Sequence, residues 1–315
     1  MKVSVITVCK NSEKTLERTI RGVVQQTYTD LEYIIIDGAS EDNTNAIISQ
    51  YRAHIQDWVS EPDGGIYQAM NKGIQRATGC FIYFSNSDDY LFDERVIQDL
   101  VEFATTHRDC DLIYGDHEAR FLDNNASIHQ PMPPELLLGE MVELGDRRIH
   151  QPASFFRKEL FDRLGLFDET YRIASDYKWF LRALQDSTVK VCYYPRTIVS
   201  YAHGGASANI RQLFDEVFEI QSQCAALQEI AWLQKRITRF QHLYIQQLET
   251  IQKQQQAIAK RRDRIRTLET QLANSDAMIL DLHQKIELMR SSKFWQLRTA
   301  WVEIKQTLKS IAQNR

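Results

Sequence analysis

All 12 glycines and all 6 prolines of this 315-residue chain lie before residue 208. These two residue types interrupt helices most strongly. The last third of the chain therefore has no local reason to leave an α-helix. Within it, apolar residues recur every seventh position: Ile230, Ile237, Tyr244, Ile251, Ile258, Ile265, Leu272, Ile279 and Ile286. Three residues further on stand Leu233, Phe240, Leu268, Leu282 and Met289, but also Gln247, Gln254, Arg261 and Ser275. This is a heptad repeat with Ile at a and a weakened middle at d. A lone helix would leave that stripe in water, so the spacing predicts a self-associating coiled coil over 216–290. The heptad stretch 230–289 within it is about 90 Å long at 1.5 Å per residue. The alternative is a long helix folded back on the preceding domain.

Residues 291–315 keep helical spacing in a different phase. Phe294, Leu297, Trp301, Ile304, Leu308 and Ile311 run one residue out of register with the rod, accompanied by Lys293, Arg298, Lys305, Lys309 and Arg315. Apolar residues beside basic ones suit a membrane interface, or a helix that docks on protein.

The first 215 residues follow another pattern. Short β-branched runs at 2–9, 31–37, 80–84 and 111–114 alternate with helical stretches at 12–26, 43–54, 66–77 and 93–106. Continuous apolar runs suit strands buried on both faces of a parallel sheet. Ser12 and Asp93 are placed to cap the first and fourth helices. The alternation predicts a doubly wound α/β domain. After Pro131, Pro133 and Pro134 the alternation loosens, with a helix at 173–185 and a strand at 189–194.

Charge separates the same parts. Residues 1–220 hold 22 Lys+Arg against 34 Asp+Glu, a formal −12; residues 221–315 hold 16 against 8, a formal +8. The acidic part argues against nucleic acid as a partner and suits a site built on carboxylates. The basic tail suits an anionic surface or a solvated helix face. The opening residues read as a strand and not as a signal peptide, and no run of about 18 apolar residues could span a bilayer. Five scattered cysteines without a Cys-x-x-Cys pair predict reduced thiols in a cytoplasmic protein, with no disulfide frame and no zinc site.

Acids at strand ends carry the chemistry, because ligands of open parallel sheets bind outside the carboxyl ends of the strands. Asp37 ends one strand, Asp88 and Asp89 follow another, and Asp63 lies in the loop Ser60-Glu61-Pro62-Asp63-Gly64-Gly65. A hard divalent cation would relieve the repulsion and bridge to diphosphate oxygens. Each acid taken singly reads equally as a turn residue or helix cap. The Gly-rich loops of dinucleotide enzymes and P-loop nucleotidases are absent, as is the Gly-x-Ser-x-Gly elbow of hydrolases.

Five ordered segments resemble one family. Val3–Asn11, Ile36–Thr44, Ser60–Gly73, Asn86-Ser87-Asp88-Asp89 with His150-Gln151, and Ala174-Ser175-Asp176-Tyr177 are similar to family 2 glycosyltransferases of the GT-A fold. The likeness is to the branch of colanic-acid-type bacterial polysaccharide enzymes and covers about residues 1–210. It implies a mixed α/β sheet and an inverting transfer of a sugar from a nucleotide-diphosphate sugar to a saccharide or lipid-linked saccharide. It further implies a Mn²⁺ or Mg²⁺ cofactor.

By that resemblance, Thr7 and Asp37 border the nucleotide base, and Asp63 and Lys72 line the diphosphate region. Asp88 meets the metal, Asp89 sits near the donor sugar, and Asp176 is the general base. His150 and Gln151 are placed to shape the acceptor pocket; His203, just before Gly204-Gly205, offers a neutral imidazole as a further metal ligand or a diphosphate contact. The sequence departs from the family pattern at Asn86, Met70 and Ser175, and the Gln-x-x-Arg-Trp motif of processive members is absent. The expected product is a non-processive enzyme of surface-polysaccharide or lipopolysaccharide assembly, cytoplasmic and peripheral at the inner membrane face. The expected segments are 1–215, 216–290 and 291–315. Two other classes compete: a nucleotidyltransferase, which would release pyrophosphate, and a coiled-coil scaffold with a dispensable catalytic domain.

Overall fold

The computed structural model describes residues 1–120, 126–144, 147–202 and 209–313. In chain order the elements of the first part are β1 (Val3–Cys9), α1 (Leu16–Val24), β2 (Leu31–Asp37), α2 (Thr44–Gln50), β3 (Asp57–Ser60), α3 (Ile66–Arg76), β4 (Phe81–Phe84), β5 (Tyr90–Leu91) and α4 (Val96–Thr106). Then come β6 (Leu112–Arg120), β7 (Ala126–His129), α5 (Pro134–Val142), β8 (Ser154–Arg157), α6 (Glu159–Leu164), α7 (Ser175–Gln185), β9 (Val191–Ala202) and α8 (Ile210–Gln223). Two long helices follow, α9 (Ile230–Ser291) and α10 (Lys293–Gln313).

The described strands make one mixed sheet of order β3-β2-β1-β4-β8-β6-β9-β5, with β7 paired to β6. β1, β2, β3 and β4 are parallel, so their carboxyl ends open on one edge. β8 runs antiparallel to both β4 and β6, and β6 runs parallel to β9. Each face of the sheet carries its own core. Ile6, Val8, Ile34 and Ile36 pack with α3, α5 and α7 residues such as Trp179 and Phe180. Val3, Val5, Tyr33 and Ile35 point the other way, toward α1, α2 and α4. Burial on both faces explains why β1 and β2 read as unbroken apolar runs. Each fully buried Leu, Ile or Phe side chain contributes about 1.5–3 kcal/mol by removal from water. Helix α3 can approach β1 only because residue 73 is glycine: a Cβ there would sit 2.5 Å from Ile6 Cγ2.

Three expectations need correction. The first helix starts at Leu16, because Asn11, Ser12 and Glu13 are tied across to Ser40, Thr44 and Asp42 through backbone N–H donors. Ser12 therefore supplies a backbone carbonyl to Leu16 instead of a side-chain cap. Asp93 likewise accepts from Arg95 N and pairs with Arg196, ahead of α4. Finally, Cys110 and Cys192 are joined as a disulfide, with Cα atoms 5.9 Å apart. Parallel pairing of β6 with β9 brings together two thiols 82 residues apart in sequence. Cys9, Cys80 and Cys224 are free.

The first compact unit extends through Arg239, and residues 240–315 form a second. Residue 215 is thus not a break. Val217, Ile220 and Leu227 are buried in the first unit's core, and Arg239 Nε donates to the carbonyl of Glu143 at 3.0 Å. In the second unit, the heptad side chains of α9 are exposed along its length. Among the described residues, no helix is long and apolar enough to cross a membrane.

Candidate active site

The loops after β1, β2, β3 and β4 converge at the open edge. Asp37 ends β2 and is completely buried. One of its oxygens accepts from the Ser40 hydroxyl, the other from Ser40 N at 3.0 Å and the Ser60 hydroxyl at 2.6 Å. The Cys9 thiol lies 3.7 Å away. Burial and the adjacent Asp37 push that thiol far above its ordinary pKa. Asp37 therefore ties the ends of β1, β2 and β3 together, at the place where the sequence expects the nucleotide base. Thr7, the other residue expected beside the base, is fully buried in β1 and shares a hydrogen bond with Tyr33 at 3.1 Å.

Asp63 stands nearer the surface. Its Oδ1 accepts from Gly65 N at 3.1 Å, just before α3. Its Oδ2 occupies the space beside Gly38, where a Cβ would come within 2.7 Å, and Lys10 borders the same spot. Lys72, in the second turn of α3, pairs with Glu61 at 2.8 Å.

The acidic pair after β4 divides its labour. Asp89 is buried; it accepts from Ala202 N at 2.8 Å and from Asn86 Nδ2 at 3.1 Å, which fastens the loop to the end of β9. Asp88 is only half-buried. Burial raises the proton affinity of both carboxyls, and the Asp88 charge adds to that of Asp89. Arg120 on β6 donates to the Asp88 carbonyl at 2.8 Å, and its guanidinium lies 4.4 Å from the Tyr90 ring centre. Sequence reasoning missed Arg120, which no motif marks. The loop also leaves Ser85 Oγ and Asn86 Oδ1 buried without a hydrogen-bond partner. With Asp88 these are oxygen donors, the set a hard divalent cation prefers, so the residues fit such a group. Among the described residues no cluster of three His, Cys, Asp or Glu side chains is arranged to hold a metal by itself. His203, the other expected ligand, lies outside the described residues.

Asp176 occupies the first turn of α7 and is half-buried. Its Oδ1 accepts from Tyr177 N at 2.8 Å and from the Tyr67 hydroxyl at 2.9 Å. Tyr67 belongs to the first turn of α3, directly after the Asp63 loop. Burial raises the carboxyl's pKa above the usual range, against the pull of the Tyr67 hydrogen bond, the Tyr177 amide and the Arg148 charge. The backbone entering α7 is held from α8: Glu216 accepts from the amides of Arg172, Ile173 and Ala174 at 3.1, 2.9 and 2.9 Å. Both Tyr67 and Glu216 were missed by sequence reasoning; Glu216 lies beyond the expected domain end.

His150 and Gln151 precede β8, and the turn Gln151–Ala153 packs against β4, β6 and β9. Gln151 is buried, with Nε2 lacking a partner. The His150 ring lies 4.5 Å from that of His117, which stacks on His129 at 5.2 Å. Burial holds His150 and His117 neutral, the latter with its pKa lowered to about 4. His117 and His129 are directly opposed across β6 and β7, a pairing no local motif signals.

The arrangement can hold a charged diphosphate near loop ends and present a carboxylate of raised basicity beside them. Comparison with known proteins fits this chemistry. Residues 4–165 match the description "Glycosyl transferase family 2". An uncharacterised glycosyltransferase of Mycobacterium tuberculosis is 34% identical over 185 residues, covering 58% of this chain and 68% of that protein. A PGL/p-HBAD biosynthesis glycosyltransferase of Mycobacterium bovis is 27% identical over 209 residues, covering 65% and 78%.

Among solved structures, S. aureus TarS 1-349 in complex with UDP-GlcNAc superposes with a TM-score of 0.58 at 20% identity, covering 76% of this chain and 72% of that one. Mannosyltransferase PcManGT from Pyrobaculum calidifontis in complex with GDP-Man and Mn2+ gives 0.53 at 17%, covering 72% and 64%. These neighbours share the mixed GT-A sheet. With the family description matching half of its residues and a curated relative matched over two thirds of its length, the chain belongs to glycosyl transferase family 2 and is a glycosyltransferase.

Proposed function

We propose that the first unit transfers one sugar per encounter from a nucleotide-diphosphate sugar to a hydroxyl of a saccharide or lipid-linked saccharide, with inversion, during bacterial surface-polysaccharide or lipopolysaccharide assembly. The observation that carries this reading is Asp176: a half-buried carboxyl of raised proton affinity, held in orientation by Tyr67 and by a helix entry that Glu216 fixes. An alcohol is a poor nucleophile at neutral pH and needs such a base. Asp176 takes the acceptor hydroxyl proton as that oxygen forms a bond to the anomeric carbon. The bond from that carbon to the diphosphate breaks, and the nucleoside diphosphate leaves with the electron pair.

Asp63, Lys72 and Lys10 line the diphosphate side. Asp88 with Asn86 would hold Mn²⁺ or Mg²⁺, which when bound offsets charge on the departing diphosphate. Because its donor would be an intracellular nucleotide sugar, this reading puts the unit's reaction in the cytoplasm.

The second unit serves as a homodimer rod. An antiparallel pairing would set Gln247, Gln254, Arg261 and Ser275 against apolar a residues of the other strand. A parallel, in-register pair instead matches polar layers with polar layers, and brings Arg264 at g to Glu269 at e of the second copy.

The test is transfer, or slow hydrolysis, of nucleotide sugars with Mn²⁺. The Asp176→Asn protein is expected to keep donor-induced thermal stabilisation and to lose transfer. Unchanged transfer removes Asp176 from the mechanism, and pyrophosphate release would favour a nucleotidyltransferase.

A further inference from the structure

Helix α10 is a separate amphipathic element and not a continuation of the rod. Ser292 interrupts the two helices, and its Oγ accepts from Trp295 N at 3.3 Å, capping the new helix. The break coincides with the one-residue phase shift of the apolar stripe, so the seam of α9 does not run on into α10. On α10, Phe294, Leu297, Trp301, Ile304 and Leu308 are 78%, 71%, 61%, 58% and 62% exposed. At 100° per residue these five share an arc of about 80°.

Cations border that arc on both sides. Lys293 lies at one edge; Arg298, Lys305 and Lys309 lie at the other. Glu303, the helix's single acid, falls on the opposite face. Two of these cations sit over indoles: the Arg298 guanidinium is 5.6 Å from the Trp295 ring centre and the Lys305 ammonium 4.9 Å from that of Trp301. Long cationic side chains flanking an apolar arc reach headgroup phosphates while the arc enters the acyl boundary. The helix lacks the continuous apolar length needed to cross a bilayer.

We propose that α10 binds the surface of an anionic bilayer, lying in the interface with Phe294, Leu297, Trp301, Ile304 and Leu308 inserted. Acidic lipid headgroups are the complementary charge; a second protein surface would have to supply both an apolar groove and an acidic rim. This inference is independent of the transferase chemistry, and its failure leaves that reading untouched.

The experiment uses the full chain and vesicles of phosphatidylcholine with or without phosphatidylglycerol, read by co-sedimentation and by Trp emission. Binding to the phosphatidylglycerol vesicles alone is expected, weakening as salt rises. Lys305→Gln with Lys309→Gln should weaken it about 30-fold, since each cation near an anionic surface contributes about 1 kcal/mol. Trp301→Glu with Leu308→Glu should abolish it. Both pairs are exposed, and an unchanged far-UV circular dichroism spectrum shows that the helix persists. Absence of binding by the native chain, or binding untouched by Trp301→Glu with Leu308→Glu, overturns the proposal. It is also overturned if those substitutions lower the sedimenting mass in lipid-free buffer while vesicle binding persists, because α10 then docks on protein.

Discussion

Replacing Tyr67 by Phe isolates one contact at the centre of the site. The Tyr67 hydroxyl has a single hydrogen and two acceptors, the Asp176 carboxylate at 2.9 Å and the carbonyl of Ile173. Hydrogen bonds to a charged acceptor contribute about 1.5–3 kcal/mol. Sharing between two acceptors argues for the lower end. Removing the hydroxyl takes that stabilisation from the ionised carboxylate only, so the proton affinity of Asp176 rises further.

A base works only when deprotonated, so the acid limb of the kcat profile moves to higher pH. On that limb the variant should turn over about tenfold more slowly than wild type, the equivalent of about 1.4 kcal/mol. On the alkaline plateau the two should converge. The assay is nucleoside diphosphate release from donor hydrolysis, or from transfer to an acceptor, across pH 5 to 9. A separate thermal melt registers the carbonyl left without its partner, a cost of about 1–3 kcal/mol. A Tyr67→Phe profile that overlays wild type at every pH refutes the coupling of this hydroxyl to the base.

Two other expectations follow from the same structure. His117 is neutral in the folded protein, with its pKa lowered by burial, His129 and Arg148 to about 4, against an ordinary 6.5. Between those values the unfolded chain binds more protons, so stability falls as pH drops through that window, by about 3 kcal/mol in total from this group; His117→Gln should make the fall of melting temperature there shallower, the remainder coming from His150, and an unaltered pH dependence would exclude His117 as a source. Ile258→Asp in the rod should convert a dimer to a monomer in sedimentation equilibrium while donor binding by the first unit is retained; a native chain that sediments as a monomer rules out the rod.

What was legible in the sequence was what is written locally. The β-branched runs gave β1, β2 and β4 nearly to the residue, since burial on both faces leaves no polar alternation to misread. Local spacing also marked α3, α7 and the phase shift that α10 shows at Ser292. Features built by long-range contact were not legible. The disulfide needs parallel pairing of β6 with β9, and the His117–His129 stack needs the cross-strand register of β6 and β7. Helix α8 reads as rod because it contains neither glycine nor proline. Its Glu216 is nevertheless committed to three amides at the entry of α7. Composition reports helicity, and it does not say which helix is held by the core.

The same distinction orders the acids. Asp37, Asp63, Asp88, Asp89 and Asp176 look alike as acids in loops, at strand ends and at a helix start, and only the family resemblance assigns them separate roles. Burial and bonding separate them. Asp37 and Asp89 are closed to solvent and have both oxygens occupied by donors from neighbouring loops, so each serves as a fastener whose charge is spent on the scaffold. Asp88 and Asp176 are only half-buried; burial raises their proton affinity, as it does that of Asp89, but they keep access to solvent. A carboxylate already saturated with donors is a poor base and a poor metal ligand, because every new bond must displace an existing one. On the proposed mechanism the reactive roles fall to Asp88 and Asp176, and the fasteners matter by keeping those two in place. Asp37→Asn should accordingly cost stability first, with activity following as the loops loosen. Asp176→Asn should leave stability nearly intact and remove turnover alone.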